Sequence, residues 1–277
     1  MEKNTPLPRR KIPIALTIAG SDSGGGAGIQ ADLRTFSAFQ IHGLTAITSV
    51  TAQDTSTVYD SENVSAYMVG RQITAVLTDI GADAVKTGML SSSEIIITVV
   101  QKLSEFGVKQ LVVDPVMAST GGDVLIKSTA VETLKHELFP LALVVTPNLH
   151  EAEILVGRKL TNVADIERAA AELHRLGSSS VIIKGGHMED PSKSSDLFFD
   201  GDQMRRFESP RLASTNTHGS GCTFGAAITA CLARGFNLEE SILEAKHFVT
   251  AAIRHSYPLG HGNGPLNHLY RFWGDLD

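Results

Sequence analysis

The chain is 277 residues long, 42% hydrophobic and 19% charged, with a formal net charge of −6. This is ordinary globular composition, with enough chain to bury a large core in one alternating α/β domain. The acidic balance leaves no footprint for nucleic acid or an anionic membrane, and no apolar stretch reaches the ~20 residues that a bilayer span needs.

Residues 1–11 read as a flexible N-terminal tail; its basic run, Arg9-Arg10-Lys11, is a solvated lead-in. The tail has no apolar signal region, so a cytoplasmic location is the expectation. Residues 12–277 read as a single domain. Apolar, β-branched runs predict strands over 14–19, 44–51, 84–86, 110–113, 143–146 and 181–184. Longer patterns predict helices over 29–39, 67–80, 93–106, 128–138 and 165–176. A short strand pair, 196–199 and 204–207, precedes two closing helices, 219–234 and 238–255. Such alternation argues for a mostly parallel sheet with helices on both faces, and ligands of such sheets bind beyond the carboxyl ends of the strands. Polar clusters fall at those ends, at 20–28, 53–54, 87–88, 114, 148–151 and 184–187.

The run Gly20-Ser21-Asp22-Ser23-Gly24-Gly25-Gly26-Ala27-Gly28 opens the first helix. It matches neither the G-x-G-x-x-G dinucleotide spacing nor a phosphate loop ending in Gly-Lys-Ser/Thr. A tight turn explains it; so much glycine also lets the backbone approach a flat ligand. Gln53, at the end of the second strand, is an ordinary loop residue in isolation. Its amide nevertheless sets a donor beside an acceptor, which meets the amino group and adjacent ring nitrogen of an aminopyrimidine. Asp114, in Asp114-Pro115-Val116-Met117, ends a buried strand at the same rim. Asn148 and Glu151 lie one helical turn apart, which a helix cap explains; a magnesium nucleotide nearby would also want hard oxygen ligands, often through water. Lys184 leaves a strand at the rim, where its point charge suits nucleotide phosphates. His187 and His218 are read as polar contacts at most.

The densest signal is Asn216-Thr217-His218-Gly219-Ser220-Gly221-Cys222-Thr223-Phe224, a glycine-rich entry to an alanine-rich helix. Unpaired N–H groups of a first helical turn make an anion cradle. Cys222 is the one side chain there capable of chemistry, and a small residue that merely fits is its bland alternative. Cys222 and Cys231 stand roughly 13 Å apart along one helix, beyond disulfide reach. Neither has the spacing of a structural zinc site, and Cys231 reads as helix core.

Seven segments, 19–32, 50–53, 86–90, 114–117, 146–151, 184–187 and 216–223, together resemble the hydroxymethylpyrimidine/phosphomethylpyrimidine kinases, the thiamin-pathway branch of the ribokinase superfamily. The resemblance implies a three-layer α/β/α ribokinase-like fold with a mostly parallel sheet, ATP as cosubstrate, Mg2+ as metal, and a homodimer. It also implies two successive phosphorylations, of 4-amino-5-hydroxymethyl-2-methylpyrimidine and then of its monophosphate. By motif, Gln53, Asp22, Gly20, Met89 and Val116 would contact the pyrimidine. Lys184, Asn148, Thr217, Gly219 and Gly221 would bind the nucleotide, and Asp114 and Glu151 the magnesium. Gly219, Ser220, Gly221 and Cys222 would form the anion hole, with Lys184 at the transferring phosphate. The sequence departs slightly from the family, with Ser220 where threonine is common and Ser23-Gly24 where many members have Pro-Ser. A pyridoxal or pyridoxine kinase of the same superfamily is the nearest rival. A non-catalytic pyrimidine-binding protein is the reading from another class.

Most of that superfamily has an aspartate base where this chain has Cys222. A phosphomonoester is already largely dianionic near pH 7, so its phosphorylation scarcely needs a base. An aspartate about 4 Å away would repel each unit of its charge by roughly 4 kcal/mol at an effective dielectric near 20. A thiol avoids that repulsion. The helix N-terminus is expected to lower its pKa enough to serve when the alcohol must be activated.

Overall fold

The computed structural model describes residues 12–117, 126–185 and 190–273. The expected tail at 1–11, the stretch 118–123, whose glycines suit a lid, and His187 lie outside the described residues. Within them the chain runs β1 (Ile14–Asp22), α1 (Gly28–Ala38), β2 (His42–Gln53), β3 (Val58–Asn63), α2 (Ala66–Asp79), β4 (Ala84–Thr87) and α3 (Ser93–Glu105). It continues through β5 (Leu111–Val113), α4 (Ser128–Thr133), β6 (Val144–Val145), α5 (Leu149–Val156), α6 (Val163–His174) and β7 (Val181–Ile183). The closing elements are β8 (Lys193–Phe199), β9 (Met204–Pro210), α7 (Ser220–Ala233) and α8 (Leu238–Arg254).

The strands form one sheet in the order β3-β2-β1-β4-β5-β6-β7-β8-β9. All pairings from β2 to β7 are parallel; β3 at one edge and β8–β9 at the other are antiparallel. Successive strand residues face opposite sides, so continuous apolar runs feed two cores at once. Leu16, Ile18, Leu111, Val113, Val181 and Ile183 pack against α2 to α6 on one face. Ala15, Val112, Val144 and Ile182 pack against α1, α7 and α8 on the other. The result is the expected three-layer α/β/α arrangement.

Each strand of the parallel part was visible as an apolar run. The edge strand β3 was not, because Tyr59 to Asn63 are all exposed and carry no core pattern. The helix expected over 128–138 breaks after Thr133 into a wide turn at Leu134–Leu138 and a tight one at Phe139–Leu141, where Pro140 ends it. α5 is a short helix signalled only by its cap. Cys231 is fully buried on α7, as expected of core.

The chain leaves β1 toward β2 on one side and later enters β4 on the other. This reversal opens a crevice beyond the carboxyl ends of β1 and β4.

Candidate active site

That crevice is a cavity of about 350 Å³. Gly20 and Asp22 reach it from β1, Gln53 from β2, Met89 from the turn after β4, and Asp114 and Val116 from the segment after β5. Asn148 and Glu151 line it from α5 and Lys184 from the end of β7. The turn carrying Thr217, Gly219, Ser220, Gly221 and Cys222 completes the wall. Residues from across the sequence thus meet in one concavity, including every residue to which the family resemblance gave a role.

Two glycine loops interlock to make its floor. Gly219 caps α7 with φ 78°, and a Cβ there would lie only 1.9 Å from the Gly26 carbonyl oxygen. Neither loop could approach the other if Gly219 bore a side chain. Asp22 organises the first loop. Its Oδ1 accepts the N–H of Gly24 at 2.8 Å, and its Oδ2 those of Gly26 and Ala27 at 3.0 and 2.8 Å. His218 Nε2 lies 2.9 Å from the same Oδ2, so the two loops are also tied by side chains. Burial pushes the Asp22 carboxyl up, but His218 and the loop N–H groups outweigh it and hold the group below its ordinary value. Its carboxylate therefore shapes the cradle from within. His218, read from sequence as a polar contact at most, is the tie between loops.

In the cradle, the Ser220 N–H turns back to the Thr217 carbonyl at 3.1 Å. The N–H groups of Gly221 and Cys222 have no acceptor among the described residues, which leaves two first-turn donors for an anion. Thr223 donates to the Gly219 carbonyl at 2.8 Å and meets His268 Nε2 at 2.9 Å, bracing the turn from behind.

Beside the cradle stands a line of charges. Lys184 Nζ contacts Asp114 Oδ1 at 2.9 Å, and the Thr146 hydroxyl donates to the same oxygen at 3.0 Å. Burial would raise Asp114, but Lys184 and the deeper Lys86 prevail and hold it ionised. Burial likewise opposes the charge on Lys184, and Asp114 and Glu151 overcome it. Asn148 and Glu151 form a reciprocal capping box on α5. The Glu151 N–H donates to Asn148 Oδ1 at 2.8 Å, and the Asn148 N–H to Glu151 Oε2 at 2.7 Å. The helix-cap reading of this pair is thus correct, and both residues face the cavity as well. Burial, with Asp114 adding to it, pushes the Glu151 carboxyl up to about 7 against the pull of Lys184.

One expectation is corrected. Burial pushes the half-buried Cys222 thiol up to about 12, outweighing Lys86 and the Gly28 N–H that favour the thiolate. Desolvation, rather than the helix N-terminus, dominates here, and the group stands as a neutral thiol at physiological pH.

The sequence reading assigned no role to Lys86, which lies fully buried below the cradle, 3.0 Å from Asp32 Oδ2. Thr17 donates to that oxygen at 2.6 Å. The signal was present: a lysine inside a wholly buried strand needs a counter-charge. A second cavity of about 390 Å³, between β8 and α8, was also not foreseen. It shares Asn148, Lys184, Thr217, Ser220 and Gly221 with the first, so the two meet at the cradle. Asp196, held at 2.8 Å by Lys246, accepts the Gly185 N–H at 2.8 Å and steadies the backbone beside Lys184.

Among the described residues no group of three or more histidine, cysteine or acidic side chains could hold a metal by itself, and no helix is long and apolar enough to cross a membrane.

The chain matches the phosphomethylpyrimidine kinase family over residues 22–267. It is 49% identical over 267 residues to a thiamine biosynthesis bifunctional protein of Geobacter sulfurreducens, covering 96% of this chain and 54% of that protein, about half its length. It is 48% identical over 265 residues to the hydroxymethylpyrimidine/phosphomethylpyrimidine kinase of Rhizobium meliloti, covering 95% and 99% of the two chains. An ADP complex of Bacillus subtilis pyridoxal kinase has a TM-score of 0.86 at 40% identity, covering 93% of this chain and 98% of that one. A phosphomethylpyrimidine kinase of Clostridium difficile gives 0.77 at 43% identity, covering 88% and 100%. These likenesses identify the three-layer sheet as the ribokinase-like fold, and the chain belongs to the phosphomethylpyrimidine kinase family.

Proposed function

We propose that the protein is an ATP-dependent kinase that phosphorylates 4-amino-5-hydroxymethyl-2-methylpyrimidine and then the resulting monophosphate, giving the diphosphate for thiamin biosynthesis. One observation carries the reading: two cavities of comparable size share a wall made of Lys184 and the first turn of α7. The first, with Gln53, suits the pyrimidine. The second suits the nucleotide, whose terminal phosphate would reach the shared wall. Phosphoryl transfer in such an arrangement is positioning plus charge neutralisation.

Lys184 supplies the fixed positive charge, and the Gly221 and Cys222 N–H groups receive the transferring phosphate. Asp114 and Glu151 fit Mg2+, which takes one or two carboxylates and completes its shell with water and phosphate oxygens. Bound there, the ion would neutralise phosphate charge. Cys222 keeps the transfer point uncharged. Cys222→Asp is therefore expected to impair the second phosphorylation far more than the first, by up to roughly a thousandfold if a full charge at about 4 Å is felt. Equal retention of both steps would remove the charge account. The homodimer implied by the family resemblance belongs to the same proposal, and sedimentation of the full chain tests it.

The direct test is a product assay with the hydroxymethylpyrimidine and ATP. Monophosphate followed by diphosphate is expected, and binding without ADP release overturns the proposal. The likeness to solved pyridoxal kinases supports a second reading, with pyridoxal as substrate. Side-by-side turnover separates them, and a large preference for pyridoxal would reverse the assignment.

A further inference from the structure

Thr55, at the tip of the β2–β3 hairpin, belongs to none of the groups above. The turn it sits in is built by Asp54, whose Oδ1 accepts the N–H groups of Ser56 and Thr57 at 2.7 and 3.0 Å and whose Oδ2 accepts the Tyr59 hydroxyl at 2.7 Å. Two residues beyond Gln53, this turn meets a distant stretch, Gly260-His261-Gly262-Asn263-Gly264-Pro265. Thr55 Oγ1 accepts the N–H groups of Gly262 at 3.0 Å and His261 at 3.2 Å, and its carbonyl accepts that of Asn263 at 2.9 Å. The alternate glycines make this possible: a Cβ on Gly260 would lie 2.3 Å from Thr55 Oγ1, and one on Gly262 2.1 Å from the Thr55 carbonyl oxygen.

The same stretch continues into the cradle. The His218 N–H donates to the Gly264 carbonyl at 3.1 Å, and His218 pairs with Pro265 in an isolated bridge. His218 holds Asp22, and the adjacent Ser23 exchanges two hydrogen bonds with the Gln53 backbone at 2.7 and 2.8 Å. The contacts close into a hoop around one side of the cavity mouth, from Gln53 through Ser23, Asp22, His218 and Gly264 back to Thr55. Besides the β2–β3 pairing, which reaches Gln53 and Val58, and the Thr51 hydroxyl, which donates to Gln53 Oε1 at 3.2 Å, the arm has little packing: Ala52, Asp54 and Ser56 are exposed, and so is nearly all of β3.

We propose that Thr55 is a positioning residue, anchoring the Gln53 arm to the 260–265 strap and so fixing the pyrimidine-recognising amide relative to the His218–Gly219 turn. This rests on the reading of Gln53 as the pyrimidine contact. It also explains glycine at 260 and 262, whereas glycine at 264 is required by Asn216, whose Oδ1 would lie 2.3 Å from a Cβ there.

The test is steady-state kinetics of the full-length chain, with KM measured separately for the pyrimidine and for ATP. Thr55→Val keeps the shape and removes the acceptor. It is expected to raise the pyrimidine KM by about three- to tenfold, the scale of one or two lost hydrogen bonds, with kcat and the ATP KM nearly unchanged. Thr55→Ser restores the parent value. Gly262→Ala, which drives a Cβ into the Thr55 carbonyl, raises the same KM again. An unmoved pyrimidine KM in Thr55→Val overturns the proposal, and so does a loss spread over kcat and both KM values together with a lowered unfolding midpoint. Gln53→Ala distinguishes the two layers. If it raises the pyrimidine KM while Thr55→Val does not, the strap falls and the Gln53 reading stands. If Thr55→Val alone raises it, the Gln53 reading falls and the positioning of its amide falls with it, leaving the Thr55 anchor to act on the His218–Gly219 turn.

Discussion

Lys86 and Lys184 make an instructive pair. Lys86 lies inside β4 and Lys184 directly after β7, and each contacts an aspartate, at 3.0 and 2.9 Å respectively. Lys86 and its partner Asp32 are wholly enclosed, and a Cβ on Gly225 would already press within 3.0 Å of the lysine Cε. The Lys184 side chain keeps 14% of its surface open and lines both cavities. The closed pair is scaffold: it fastens α1 to the sheet beneath the cradle. The open pair is machinery, because its charge is offered to a ligand. Cys222, between them, is influenced by both ammonium groups.

The largest expected effect separates these roles. Lys184→Met is expected to lower kcat for the pyrimidine by about a thousandfold or more, as removal of a transition-state charge partner does. Its unfolding free energy should change less than that of Lys86→Met, as urea titration would show. Lys86→Met strands Asp32 in the core, which costs about 3–5 kcal/mol of stability for a broken buried pair. Adding Asp32→Leu removes the stranded charge and is expected to recover most of that loss. A Lys86→Met protein with normal stability and a thousandfold lower kcat would invert the comparison.

The places of Lys184 and Asp114 at the rim were legible in the sequence, although their contact across 70 residues was not. The place of the closed pair was not legible, for a physical reason. Lys184 follows an apolar run and precedes glycines, so its place at the rim follows from strand geometry alone. Lys86 and Asp32 lie 54 residues apart and meet only because β4 inserts beside β1, a crossover that periodicity does not reveal. The same holds for Thr55 and the 260–265 strap. It holds also for the second cavity, whose walls come from strands and a helix far apart in sequence. Cys222 shows the converse. Its position was readable from Gly219-Ser220-Gly221-Cys222, but its protonation depends on burial between two loops, which local sequence does not encode.

Glu151 gives the smallest effect and the finest probe of the comparison. Its carboxyl is raised from an ordinary 4.5 to about 7, first by burial and then by Asp114, with Lys184 pulling the other way. The folded protein therefore holds this proton more tightly than the unfolded chain. Its contribution to stability is fully present below pH 4.5 and is lost as pH rises through 7, by about 3 kcal/mol for a shift of this size. Denaturation across that pH range measures the slope, and Glu151→Gln is expected to flatten it. Because Lys184 is the charge that most restrains the rise, whereas Lys86 pairs with Asp32 beneath the cradle, the two lysine variants should differ again. Lys184→Met moves the window to higher pH. Lys86→Met moves it less, although the protein is less stable throughout. If both variants moved the window equally, Lys184 would lose its distinct hold on this end of the cavity.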